Sequence, residues 1–499
     1  MLEQLSEKTI AGAPNTGVTT LPSPAAVEPK ISHAVLLTSA QLSRGLVRLL
    51  FVLVVARGLG PQQFGVYALL LAVVEILAVA SGAGYADYLT REAAKDPRVG
   101  WGLGRQLSWL RLACAIPLSA VGLGILWALG YPRLVLVATA WLSLTLVPRS
   151  VTEGVQGVLR GIGRYVELLV VELVCGLTLV TGGVLLLARG GGLRLVIATE
   201  LAATAAAAVA GVLFAMRFRT RERIQLKGSD LLRKSAIFNL YAFIGNLYDR
   251  LDVVLLSKLA GDYATGVYGA AYRPLNTIQL LPYGVLYSLL PALSRGEFAQ
   301  AERERLEKAM GLLLSAALAI VLATMVFADA LVPLLLGARF AESAAALKIL
   351  IWAVILRYVN YALNVRLLAG GHERVFVATS LVCLAVNLIG NLVFIPIFSW
   401  RAAAVLTIVT ELVLLAQNVF WLRRATGAVP RPVGWARISL MFALLLAAAL
   451  AGATVASPLG IGSACLLLFL IYLYRTGMVG EFAAAWRAER CPALEVSKS

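Results

Sequence analysis

The chain has 499 residues, of which 60% are hydrophobic and only 14% charged, with a mean hydropathy of +0.83. So little charge cannot coat a water-soluble protein of this size. Apolar runs of about 20 residues recur along almost the whole length, so the chain reads as an all-α polytopic membrane protein. The net charge of +17 is explained by where Lys and Arg fall between those runs, and nucleic-acid binding is not needed to account for it.

Residues 1–32 hold Pro14, Pro22, Pro24 and Pro29 among small and polar residues. They have no apolar stretch of signal-peptide type, so a disordered cytoplasmic tail is expected. About 14 transmembrane helices follow. The first six cover roughly 33–57, 64–84, 106–130, 134–158, 165–188 and 195–216, which defines an N-lobe over 33–217. A basic cytoplasmic linker over 218–234 follows. Six more spans, roughly 235–257, 264–290, 309–336, 343–365, 375–398 and 402–422, define a C-lobe over 235–424. Residues 425–499 add two C-terminal helices, roughly 438–456 and 459–475, and a cytoplasmic tail.

Lys and Arg crowd the loops on the N-terminal side. The opposite loops carry only Arg57, Arg133, Arg189, Arg194, Lys258, Arg339 and Arg401. This bias places both termini in the cytoplasm. The linker's Arg217, Arg219, Arg221 and Arg223 suit anionic headgroups or a docked cytoplasmic partner.

One pattern occurs twice, 201 positions apart. The first copy holds Gly60, Gly65 and Tyr67; the second holds Gly261, Gly266 and Tyr268. Each has Gly, four spacers, then Gly-Val-Tyr. An even number of spans separates them, so both lie on the outer side, and the lobes are parallel repeats about an axis along the membrane normal. Gly60 and Gly261 permit tight turns. Tyr67 and Tyr268 are expected as interfacial anchors.

Ionisable residues inside spans are the strongest site evidence, because each costs at least about 2.5–3.5 kcal/mol at the bilayer centre. Arg44 and Arg48 share a face of span 1 at i, i+4. They suit a phosphate group, whose oxygens match the guanidinium fork, or ion pairs with Glu75 and Glu172. Span 7 carries Asp249, Arg250 and Asp252, and span 8 carries Arg273. The 201-residue offset sets Arg48 against Asp249. We hypothesise that these two meet across a cleft in one state and part in another; charge reversal of both should then restore what either reversal loses. Asn387 and Asn391 on span 11, with Asp249, Asp252 and Glu411, could line a cation or proton site or make interhelical hydrogen bonds. Arg111, Glu200, Lys348, Arg357 and Asn360 are further polar positions within spans.

Enzymatic chemistry has little to work with. His33 and His372 are the two histidines, and five cysteines have no metal-ligand spacing, so no metal site is expected. The repeated glycines continue into Val-Tyr, so they do not form a phosphate loop.

The pattern Leu59-Gly60-Pro61-x2-Phe64-Gly65-x-Tyr67 resembles the Wzx-type polysaccharide flippases of the multidrug/oligosaccharidyl-lipid/polysaccharide (MOP) exporter superfamily. So do Arg160-Gly161-x-Gly163-Arg164, Gly266-Val267-Tyr268-x2-Ala271-x-Arg273, Leu290-Pro291-Ala292-Leu293-Ser294-Arg295 and Leu336-Gly337-x2-Phe340. The resemblance extends over about 33–425. It implies two six-helix lobes, arranged as in the multidrug exporters and lipid II flippases, with a central cationic cavity; a drug antiporter would need an acidic one. It also implies translocation of undecaprenyl-pyrophosphate-linked oligosaccharide to the outer leaflet of the bacterial cytoplasmic membrane by alternating access, in O-antigen, exopolysaccharide or capsule biosynthesis. Arg44, Arg48 and Arg273 would hold the pyrophosphate, and Asp249, Arg250 and Asp252 would gate or couple. The implied protein is a monomeric transporter and not an enzyme. It has no cofactor, is open to proton or sodium coupling, and has membrane lipids and other polysaccharide-assembly proteins as partners. A multidrug or cation antiporter of the same superfamily is the alternative. A glycan polymerase or ligase is less well supported, because no outer loop exceeds about ten residues.

Overall fold

The computed structural model describes residues 31–82, 85–217, 228–279, 281, 282, 286, 300–370, 372–452 and 458–477. Most of the expected N-terminal tail, linker residues 218–227, the motif at 290–295 and the tail from 478 lie outside the described residues. Every regular element within them is helical. Nine helical stretches among the described residues are long and apolar enough to cross a membrane, and the chain is a multi-pass membrane protein.

The two longest helices are α1 (Ile31–Ala80) and α8 (Gly228–Ile278), and each holds two expected spans. No loop separates the spans of either pair. A single non-helical residue divides each helix into two arms: Gly60 at φ 72°, ψ 171° and Gly261 at φ 83°, ψ 176°. Only glycine adopts such angles without strain. Pro61 then restarts the first helix where its missing N–H is not needed.

Between them run α2 (Tyr85–Lys95), α3 (Pro97–Ala128), α4 (Arg133–Ser143), α5 (Leu146–Gly161), α6 (Tyr165–Arg189) and α7 (Gly192–Arg217). Helix α2 occupies what reads in sequence as a loop. It buries Tyr85, Tyr88, Leu89 and Ala93 against Leu103, Leu107 and Val158, and exposes Arg91. Expected span 4 is two helices, because Pro148 cannot donate to the Leu144 carbonyl. That carbonyl instead accepts from Val147 N–H at 3.2 Å, a tighter turn that bends the chain.

The second half continues with α9 (Gln300–Leu336), α10 (Ala341–Leu350), α11 (Trp352–Ala369), α12 (Glu373–Phe398) and α13 (Trp400–Thr426). The last two helices, α14 (Trp435–Gly452) and α15 (Pro458–Arg475), pack on each other and on α9. The Phe442 ring meets Trp352 and Phe469 edge-on at 6.0 and 6.2 Å.

One apolar core gathers chiefly the residues of α1 and α3–α7, and a second gathers those of α8–α15. They interpenetrate where α1 crosses α8: Ala68 and Ala72 enter the second core, and Ala270 enters the first. At this crossing a Cβ on Gly65 would lie 1.8 Å from the Asp262 carbonyl oxygen, and one on Gly266 would lie 1.9 Å from that of Pro61. Neither position accepts a side chain without moving a backbone.

Candidate functional site

The repeat tyrosines are not interfacial anchors. Tyr67 and Tyr268 are both fully buried, because the glycine crossing presses their helices together and turns the rings inward. A buried hydroxyl needs a partner, and each ring finds a carboxylate. Tyr67 donates to Glu200 Oε1 at 2.5 Å. Tyr268 donates to Asp252 Oδ2, with Thr407 Oγ1 3.2 Å away.

Arg44 and Arg48 share a helix face but take separate counter-ions. Arg48 Nη1 donates to Glu200 Oε2 at 2.7 Å, so Arg48, Glu200 and Tyr67 form one chain across α1 and α7. Its second amino group, Nη2, is buried with no hydrogen-bond partner. Arg44 reaches Glu172 on α6 at 3.3 Å, and Gln156 donates to the same oxygen at 3.0 Å. Glu172 is therefore an arginine partner, as its place in span 5 suggested.

Glu75 pairs across the two halves with Arg250, not with Arg44 or Arg48. The Nε–Oε2 distance is 2.6 Å, but the geometry does not form a hydrogen bond, so this is an ionic contact. Glu75 also lies in the field of Arg273, Arg149 and Arg48. Arg149 and Arg273 make no ion pair or side-chain hydrogen bond among the described residues. Glu75 thus touches one arginine, Arg250, and feels the charge of three more on α1, α5 and α8.

The second half has its own polar cluster. Arg357 binds Glu411 at 2.6 Å, donates to the Tyr272 hydroxyl at 3.0 Å, and approaches Asp249 at 3.6 Å. Asn360 donates to Glu411 at 3.0 Å. Asp252 also accepts from the Val253 N–H at 2.8 Å. Arg48 and Asp249 are therefore not paired in this conformation; each has a nearer counter-ion. Asn391 donates to Asn387 at 2.9 Å within α12. The pair bonds to itself along one helix, and neither asparagine is joined by a hydrogen bond to Asp249, Asp252 or Glu411.

Sequence reasoning did not single out Arg149 or Glu153. Glu153 holds Arg111, which also donates to the Ala78 carbonyl at 3.0 Å. Arg149 follows Pro148 directly, and the proline was the available signal that span 4 breaks there. Among the described residues no cluster of three or more His, Cys, Asp or Glu could hold a metal ion.

The assembly offers cationic groups from both halves at one level, flanked by neutralised carboxylates.

A family model described as polysaccharide biosynthesis protein matches residues 32–297, more than half of the chain. The probable low-salt glycan biosynthesis flippase Agl15 of Haloferax volcanii is 23% identical over 418 residues, covering 80% of this chain and 84% of that protein. Among solved structures, lipid II flippase MurJ in an inward closed conformation matches with a TM-score of 0.70 at 14% identity. It covers 89% of this chain and 99% of that one. An inward-facing multidrug resistance MATE family transporter of the MOP superfamily matches with a TM-score of 0.61 at 16% identity, covering 78% and 97%. All three are named as flippases or transporters. The extent of the family match, on a fold shared with the MOP exporters, shows that this chain belongs to the polysaccharide biosynthesis protein family.

Proposed function

We propose that this protein is a flippase that carries undecaprenyl-pyrophosphate-linked oligosaccharide from the inner to the outer leaflet of the bacterial cytoplasmic membrane, with both termini inside. The observation that carries the reading is the Arg250–Glu75 contact between the two halves, which lies in the field of Arg48, Arg149 and Arg273. Among the described residues Arg273 and Arg149 form no ion pair of their own, and the buried Arg48 Nη2 has no hydrogen-bond partner. An unpaired arginine in a bilayer is expensive, and a pyrophosphate that crosses with its lipid supplies the missing charge through forked hydrogen bonds. Agl15, named as a glycan biosynthesis flippase, supports the same substrate class.

In this reading the N-lobe, 33–217, and the C-lobe, 235–424, rock about the Gly65–Gly266 crossing. The chain works as a monomer without a cofactor, beside other polysaccharide-assembly proteins. The Arg357–Glu411–Asp249 cluster and Asp252 form the gating region, where a proton or sodium ion would couple. A drug or cation antiporter is the second reading; the buried carboxylates of α8 and α13 favour it, and the cationic centre opposes it.

Deleting the gene and analysing lipid-linked glycans tests the proposal. Accumulation of cytoplasm-facing repeat units, reversed by the wild-type gene and not by Arg273→Gln, is expected. Normal surface glycan with altered drug sensitivity would favour the antiporter.

A further inference from the structure

In the second half, the start of α9, the end of α13 and the segment leading to α14 border an open pocket of about 590 Å³. Arg303, Arg423 and Arg431 line it, together with Val419 and Gly427. Its walls are braced. Glu307 binds Arg303 Nε at 3.1 Å and accepts from the Arg431 backbone N–H at 3.2 Å, and its own carbonyl accepts from Val433 N–H at 3.0 Å. A Cβ on Gly311 would lie 2.7 Å from the Val433 carbonyl oxygen, so the segment lies flush on α9. Glu307 offsets one of the three arginines. Arg423 and Arg431 make no side-chain hydrogen bond or ion pair among the described residues.

We propose that this cavity is a binding site for the phosphate headgroup of an anionic phospholipid of the inner leaflet. Charge complementarity and level support that occupant. Basic pockets at cytoplasmic helix ends suit lipid phosphates. Phe420, one turn before Arg423, is 57% exposed, and Trp435, which starts α14, is 53% exposed. The acyl chains of a lipid held by Arg423 and Arg431 would lie along these rings. Such a lipid would fasten α14 and α15 to α9 and α13 at the membrane surface. The site is separate from the arginine centre; the inference rests on the proposed placement of both termini inside and not on the cargo that is carried.

The purified full-length protein in phosphatidylcholine nanodiscs, with and without phosphatidylglycerol, is the test, read by native mass spectrometry. Phosphatidylglycerol should be retained over phosphatidylcholine. Arg423→Gln with Arg431→Gln should weaken retention roughly thirtyfold, two arginines near a charged surface contributing about fivefold each. Arg424→Gln, outside the cavity lining, should leave it unchanged. Equal retention of the two lipids, equal loss in Arg424→Gln, or displacement by millimolar inorganic phosphate would overturn the lipid assignment, the last by pointing to a soluble anion. Should the double variant fail to fold, the lipid preference and phosphate competition of the wild-type protein decide alone.

Discussion

The two halves repeat a turn, a tyrosine and a carboxylate that the tyrosine meets, but not the group that holds that carboxylate. In the first half the Tyr67 hydroxyl binds Glu200, which is committed to Arg48. In the second half the Tyr268 hydroxyl binds Asp252 on its own helix, beside Thr407 on α13. Thr407 and Glu200 both meet a repeat tyrosine from the last span of their half, and a neutral hydroxyl has taken the carboxylate's role. The first half therefore holds a cation on a buried acid. At its repeat tyrosine the second half holds an acid with neutral donors instead, and its buried cation, Arg357, sits on a different acid, Glu411. Backbone geometry has been kept while electrostatics diverged, as expected if the glycine crossing serves architecture and the charges serve the cargo.

The largest expected effect comes from what the halves share. Gly65→Ala and Gly266→Ala each drive a Cβ into a carbonyl oxygen and should cost about 3 kcal/mol or more, at or above the upper end for overpacking. Loss of the cooperative thermal transition in detergent would show it; an unchanged Tm would mean that the halves do not cross there.

Next comes the contrast itself. Glu200→Gln leaves Arg48 without its counter-ion, and breaking such a pair costs about 3 kcal/mol. Asp252→Asn keeps an acceptor oxygen for the Val253 N–H, turns an amide NH2 toward the Tyr268 hydroxyl, which can instead donate to Thr407, and should cost about 1 kcal/mol. Equal shifts in Tm for the two variants would erase the distinction drawn between the halves.

The smallest effect on stability belongs to the unpaired cations. Arg273→Gln and Arg149→Gln remove no native ion pair, so Tm should hold. Translocation of lipid-linked glycan in reconstituted vesicles should fall about tenfold for each, the worth of one hydrogen bond to a charged group. Full activity in both variants would remove these arginines from the cargo site.

The sequence carried the membrane class, the repeat and the arginines of α1 and α8. It misplaced the roles of Tyr67 and Tyr268, because their burial depends on helices brought over them from far along the chain. It showed that Arg44 and Arg48 share a face, yet they diverge to different acids, since α6 and α7 both lie beside α1. Drawing span 4 as one helix through Pro148 hid Arg149, because a bend redirects every side chain after it. The 201-residue offset between repeats correctly matched the turns and the tyrosines. It also prompted the hypothesis that Arg48 and Asp249 meet in one state; in this conformation Arg48 is held by Glu200 and Asp249 lies by Arg357, because equivalence under a repeat is not proximity.

What the sequence determined by itself was set by short-range physics: apolar runs long enough to cross a bilayer and glycines that bend two long helices. What only the tertiary structure decided was which charge neutralises which. Glu172 lies 128 positions from Arg44, and Glu200 lies 152 positions from Arg48. A buried charge is stabilised by whatever counter-ion packing brings within a few ångströms, and no local pattern records that distance.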